Sequence, residues 1–389
     1  MRAILLSLLI LFTTLCNQST LSNESYLERN YEIINLNDSN NYSDLDKLNY
    51  KLNDKEIILT GEVHGVKSNK KLEMKLMKYL KQKINIKYYL MEIPYSQAYI
   101  LNKYLETGDE QIIKIYFKCC ENTTRYTVDE YNFIKELYEF NKQFDDNNKI
   151  QVVGIDIEMY KQSSYYYLKD VFGYENLPSK LKATLSSSDN LSDLRYACIE
   201  FINEIDKNKS YYENILQEEF VNAYNVLENI IIFCDANTNS DATMTRKIRE
   251  NAIYDNFKFM NSILDDGKYF GQFGSLHLEY NLNMGDIENQ NDVLHGFGFI
   301  LRNDSQYKDK VLSISYAYNK CNQLYKLLSS SGFSKEKLNY NNDIFAKYNN
   351  YDCYIFDINN TNSPFTKSTY IDYIVLFNNS DALEPLNID

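Results

Sequence analysis

The stretch Glu56-Ile57-Ile58-Leu59-Thr60-Gly61-Glu62-Val63-His64-Gly65 decides how the chain is read. Its first five residues, mostly apolar and stopped by a glycine, have the length and composition of a buried strand, and Gly61 to Gly65 is the loop it feeds. Working outward, Leu72, Leu76, Met77 and Leu80 recur at helical spacing and predict a helix over about Asn69–Gln82. Tyr88–Ile93 is the next strand, stopped by Pro94, and Ser96 is placed to cap a helix that runs to about Glu106, before Gly108. A helix over Val128–Phe144, a strand over Ile150–Ile155 and a Tyr-rich helix after Asp156-Ile157-Glu158 continue the alternation.

Residues 176 to 241 break that rhythm with helical patterns only, Leu194–Ile205 and Tyr211–Cys234 among them. Thr245–Leu264 is a further helix, carrying Arg246, Arg249, Glu250 and Asn251. Lys268–Phe273 resumes the strands and ends at Gly274-Ser275-Leu276-His277; Val311–Tyr316, Cys353–Ile358 and Tyr370–Phe377 follow. Strands separated by helices need crossover connections, hence parallel neighbours. The expected class is therefore α/β: a mainly parallel sheet flanked by helices, in a domain spanning 46–389 with a helical insertion at about 176–241. Such sheets bind ligands beyond the carboxyl ends of their strands.

Ahead of this domain, Met1-Arg2 and the apolar stretch Ala3–Phe12 have the charged start and short apolar run of a secretory signal, too short for a spanning helix. Residues 1–16 are read as a signal or lipoprotein-type segment, and 17–45, rich in Asn, Ser and Asp, as a polar tether. Two outcomes stay open at Cys16: lipidation, which anchors the chain to a membrane, or cleavage nearby, which leaves it secreted. Either places the protein outside the cytoplasm. Cys119, Cys120, Cys198, Cys234, Cys321 and Cys353 are read as structural; no C-x-x-C occurs, so a zinc ribbon is unsupported. A formal net charge of -13 without an unopposed run of Lys or Arg excludes a nucleic-acid partner.

The side chains able to do chemistry gather at strand ends. Glu62 and His64 follow the first strand, Glu92 ends the second, Asp156 and Glu158 follow the third, and His277 follows the next. On parallel strands all of these emerge at one edge, a catalytic or metal-binding composition. Histidine exchanges protons near neutral pH, and a carboxylate beside it orients the ring and stabilises its charged form. Only three histidines occur in the chain, and two of them close Gly-x-x-His elements. Each residue also has an ordinary use: a Glu after a strand commonly caps a helix, Asp156 could cap the next one, and Arg249 could pair with Glu250 or Asp255 at the surface. No G-x-S-x-G elbow, P-loop, dinucleotide fingerprint or H-E-x-x-H is present, which leaves water activated directly by histidine or by a metal.

Gly61-Glu62-x-His64-Gly65, Met91-Glu92, Asn102-x-x-Leu105-x-x-Gly108, Gly154-x-Asp156, Arg249-x-Asn251 and the turn at His277 follow in an order and spacing that resemble the erythromycin esterase family, from about residue 54 to about residue 300. The paired elements Gly61 to His64 and Gly274 to His277, with Glu92 between them, are also similar to the wider superfamily of TIKI, TraB and haem-binding ChaN proteins. The resemblance implies a parallel-rich α/β core and a hydrolase in which His64 deprotonates water for attack on an ester or lactone carbonyl. Glu62 or Glu92 would orient the imidazole, and Arg249 or His277 would stabilise the oxyanion. Asp156 and Glu158 are then expected to bind a small-molecule or peptide substrate. The TIKI-like alternative is a metal-dependent peptidase, with a divalent metal as cofactor and His64, His277 and Glu92 as its ligands. The ChaN-like alternative is a haem-binding lipoprotein without turnover.

Overall fold

The computed structural model describes residues 25–187, 190–278, 295–326, 332–338, 345–359 and 370–387. Its strands are β1 (Tyr31–Ile33), β2 (Ile57–Glu62), β3 (Ile86–Pro94), β4 (Gln151–Asp156), β5 (Lys268–Gly274), β6 (Val311–Asn319), β7 (Cys321–Lys326), β8 (Phe333–Leu338), β9 (Cys353–Asp357) and β10 (Tyr373–Asn378). The main sheet has eight strands in the order β1-β9-β10-β6-β2-β5-β3-β4. β2 pairs in parallel with β5 and with β6, and β6 in parallel with β10; β9 runs antiparallel to β10 and to β1. The α/β class with a mainly parallel sheet holds. β2 lies inside because Ile57, Ile58 and Leu59 leave no polar face to turn toward water, and all three are buried.

Helices α1 (Asn49–Leu52), α2 (Lys67–Ile84), α3 (Tyr95–Thr107), α4 (Glu110–Cys119), α5 (Val128–Asn141), α6 (Lys161–Phe172), α7 (Ser179–Ser187), α8 (Leu191–Lys207), α9 (Lys209–Leu216), α10 (Phe220–Thr238), α11 (Ala242–Ile263) and α12 (Phe297–Asn303) complete the architecture. Two compact units divide it: one from Met1–Tyr89, Glu121–Ile150 and Asp266–Asp389, the other from Leu90–Cys120 and Gln151–Asp265.

In the first unit α2 lays Leu72, Leu76, Met77 and Leu80 into the core and stops at Asn85, whose φ of 51° is left-handed. From residue 25 onward the segment expected as a tether is folded instead. β1 pairs with β9, Leu27, Ile34, Leu36 and Leu45 are buried, and Lys75 Nζ donates to Asn35 O at 2.9 Å. Its Asn and Asp side chains make local turns: Asn37 N donates to Asn35 Oδ1 and Asn40 N to Asp38 Oδ1. A composition that reads as solvated chain serves here as turn chemistry. Residues 1–24, Cys16 among them, lie outside the described residues.

The second unit holds α3, α4, α6 to α11 and β4. Its helical core closes on Tyr167, Leu181, Phe201, Leu227 and Ile230. The helix expected over Tyr211–Cys234 is two helices, α9 and α10, with the chain turning at Gln217 (φ 50°). No Gly or Pro marks that turn, so the apolar period reads straight through it. α4 was not expected; Asp109 caps it by accepting from Gln111 N at 2.8 Å, and Ile113, Tyr116 and Phe117 bury its inner face. Cys119, Cys120, Cys198, Cys234, Cys321 and Cys353 are all buried. No described helix is long and apolar enough to cross a membrane.

Candidate active site

In the first unit, β2 ends at Glu62 and β5 at Gly274, which stand opposite each other in the parallel register. His64 follows two residues later, with Nδ1 2.7 Å from Glu62 Oε1. The imidazole side chain is 43% exposed and the carboxylate 11%, so the pair has one member in solvent and one rooted in the fold. Val63 between them is fixed on both sides: its N–H donates to the Tyr318 hydroxyl at 2.9 Å, and its carbonyl accepts from Asn69 Nδ2 at 2.8 Å. Tyr318 in turn donates to Asn69 Oδ1 at 3.0 Å. Gly65 then turns with φ 91° against β7, where a Cβ would stand 2.3 Å from the Leu324 carbonyl oxygen. Leu324 N and Leu383 N each donate to Gly65 O at 2.9 Å. The loop that carries His64 is held at successive residues.

Behind Glu62 lies a buried charged layer. Gln272 Nε2 on β5 donates to Glu62 Oε2 at 2.8 Å. Lys70 on α2 stands 2.8 Å from Glu73 Oε2 and 2.6 Å from Glu130 Oε2 on α5, and the Tyr89 hydroxyl donates to Glu73. Burial alone would lower the Lys70 pKa; the carboxylates of Glu130, Glu73 and Glu62 outweigh it and hold it above the ordinary lysine value. Burial pushes the Glu73 carboxyl up, against the Lys70 charge that lowers it. None of Gln272, Lys70, Glu73 or Glu130 was singled out from the sequence. The available signals were a lone amide inside the apolar run Tyr269–Phe273 and the three-residue spacing of Lys70 and Glu73.

His277 is 4% exposed, on the single turn Ser275–His277, with its ring centroid 6.3 Å from that of Phe273. Gly296 lies so close that a Cβ there would fall 2.6 Å from the His277 carbonyl oxygen. The imidazole expected to stabilise the oxyanion is thus packed inside its unit. Among the described residues no group of three or more His, Cys, Asp or Glu side chains is placed to hold a metal ion.

In the second unit, Arg249 gathers two of the expected carboxylates. Its Nε donates to Asp156 Oδ1 at 3.0 Å, its Nη2 to Asp156 Oδ2 at 2.5 Å and to Glu92 Oε1 at 2.9 Å. Burial alone would lower the Arg249 pKa, but Asp156 and then Glu92 raise it well above the usual value. The helix spacing explains the aim: Asn256, two turns after Arg249 on α11, donates to Ile155 O on β4 at 3.1 Å. Asp156 is 2% exposed and both its oxygens face Arg249, so it positions the guanidinium. Glu158 lies equally deep. It is 2% exposed, with Oε1 accepting from Ser96 N at 2.9 Å and Oε2 from the hydroxyls of Ser96 (2.6 Å) and Ser164 (2.8 Å). Glu158, expected to bind substrate, caps the first turn of α3 from within the fold, where Ser96 had been expected to do the capping.

The fold has solved counterparts. A Bacillus cereus protein aligns at 16% identity and a TM-score of 0.73, over 95% of this chain and 100% of its own. A succinoglycan biosynthesis protein aligns at 15% and 0.71, over 95% and 99%. An erythromycin esterase mutant in its open conformation aligns at 11% and 0.63, over 92% and 99%. At these identities the likeness is one of fold. A haem-bound ChaN of Campylobacter jejuni aligns at 12% and only 0.34, over 80% and 98%. No protein-family profile matches the sequence, and no curated protein does.

Proposed function

We propose that the chain is a hydrolase of an ester or lactone, working outside the cytoplasm, in which His64 is the general base. The observation that carries this reading is the 2.7 Å contact between Glu62 and a solvent-facing His64 on a loop whose backbone is pinned. With Nδ1 engaged by Glu62, Nε2 is the nitrogen that takes the proton from water, and the carboxylate stabilises the imidazolium that forms. The hydroxide attacks the carbonyl, the tetrahedral intermediate expels the alkoxide, and the imidazolium returns its proton to that leaving group. No covalent enzyme intermediate is needed. An erythromycin esterase among the proteins that share the fold supports the choice of an acyl substrate. The signal-like residues 1–16 support the location.

His64→Ala tests the reading against a panel of esters and lactones. Turnover should fall by about 10²–10⁴-fold, the range for loss of a general base, while the far-UV circular dichroism stays that of the parent. Rates close to the parent's would sink the mechanism.

A further inference from the structure

Gln272 is a primary amide in the middle of an apolar strand, and its placement follows from register. Thr60 stands opposite Gln272 and Glu62 opposite Gly274 in the β2–β5 pairing, so Gln272 and Glu62 are diagonal neighbours on one face. Ile314 stands beside Thr60 on β6, which puts Tyr316, two residues on, on that same face. Thr60, Gln272 and Tyr316 are all buried there, and a buried amide is costly unless its donors and acceptor are met.

Its acceptor and one N–H are met, and the Glu62 carboxylate, which can only accept, sets the orientation. The Tyr316 hydroxyl donates to Gln272 Oε1 at 3.1 Å and Thr60 Oγ1 lies 3.2 Å from the same oxygen, which leaves Nε2 facing Glu62 Oε2 at 2.8 Å. A flipped amide would set its oxygen against the Glu62 carboxylate. We infer that Gln272 is a positioning residue: it fixes the rotation of the Glu62 carboxylate so that Oε1 faces His64 Nδ1, and so holds His64 in its Nδ1–H form. Its catalytic consequence rests on the base role proposed for His64; its effect on the imidazole does not.

The test separates the two. The full chain has three histidines, so ring nitrogens in a ¹⁵N-labelled sample can be assigned, His64 by its loss in His64→Ala. Two-bond proton–nitrogen correlations then report the tautomer in the parent and in Gln272→Leu, which keeps the bulk and removes the amide. The parent should show Nδ1–H and Gln272→Leu mainly Nε2–H, with kcat lowered on the order of tenfold and KM within about twofold. Tyr316→Phe, which removes only the hydroxyl that orients the amide, should move the tautomer in the same direction and serves if Gln272→Leu does not fold. A parent already in the Nε2–H form, or variants that keep the parent's tautomer, would overturn the inference. A tautomer change in a protein that hydrolyses nothing would retain it and defeat the hydrolase reading alone.

Discussion

Arg249 shows what a single cation does in this fold. Asp156, at 2% side-chain exposure, and Glu92, at 9%, both face it, and a carboxylate that deep is tolerated only with a cation or full hydrogen bonding. Arg249→Met would leave Asp156 charged and stranded. Removing one member of a buried pair costs about 3 kcal/mol, so the melting temperature should drop by several degrees. Arg249→Lys should fall between the two, because an ammonium keeps the charge and loses the two-pronged fit to Asp156. An unchanged melting temperature in Arg249→Met would show that Asp156 is compensated elsewhere. At this scale the sequence was informative about ends of strands: Glu62, His64, Glu92 and Asp156 were singled out because each ends or follows an apolar run. It was silent on neighbours. Thr60 and Gln272 touch across a separation of 212 residues, and no local pattern reports which strand lies beside which.

Between elements, Glu158 joins α3 to α6, and its burial makes the joint sensitive to pH. Burial pushes its carboxyl up to about 7 from an ordinary 4.5, against hydrogen bonds from Ser96 and Ser164 that lower it. The folded protein therefore holds this proton more tightly than the unfolded chain does. Its stabilising contribution is complete below about 4.5 and is lost as pH rises through about 7. Unfolding free energy should fall between pH 5 and pH 8 by on the order of 3 kcal/mol from this group. Glu158→Gln, which does not ionise, should be flatter over that range by the same amount. Urea denaturation of both proteins at the two pH values measures the difference, and equal slopes would assign the pH response to another group. Glu73, raised in the same sense, contributes equally to parent and variant and cancels in that comparison. Most of these elements were legible because apolar period sets type and Gly108 or Pro94 sets a limit. The break at Gln217 was not, since it has no breaker residue, and the capping contact of Glu158 was not, since a carboxylate after a strand looks alike whether it meets a ligand or a helix terminus.

Across the whole chain, the loop after β2 depends on residues more than 300 positions later. Lys67 N donates to Asp381 O at 2.9 Å, and Ser68 N to Ser380 Oγ at 3.0 Å across a separation of 312 residues. Val66 bridges Ala382, and Leu383 N closes on Gly65 O. The same tail continues to α5, where Val128 N donates to Glu384 O at 2.9 Å and Leu386 N to Tyr126 O at 3.0 Å. Residues beyond about 300 carried no part of the sequence resemblance, yet they form β6, β10 and this clasp, so the part of the chain that read as least informative fixes the part that read as most. Their contribution was hidden because a clasp made mainly of backbone hydrogen bonds, with Ser380 Oγ the one side-chain acceptor named, places little demand on side-chain identity. Removing residues 380–389 should therefore loosen the His64 loop without unravelling the strands beneath it. In hydrogen–deuterium exchange the amides of Lys67, Ser68 and Val128 should lose protection, while those of β2 and β10 keep theirs. Hydrolysis should fall toward that of His64→Ala, because a base whose loop is no longer held spends little time in the geometry that takes the proton. Parental exchange at Lys67 and Val128 in the truncated chain would mean that β7, through the Leu324 bond to Gly65, holds the loop without help.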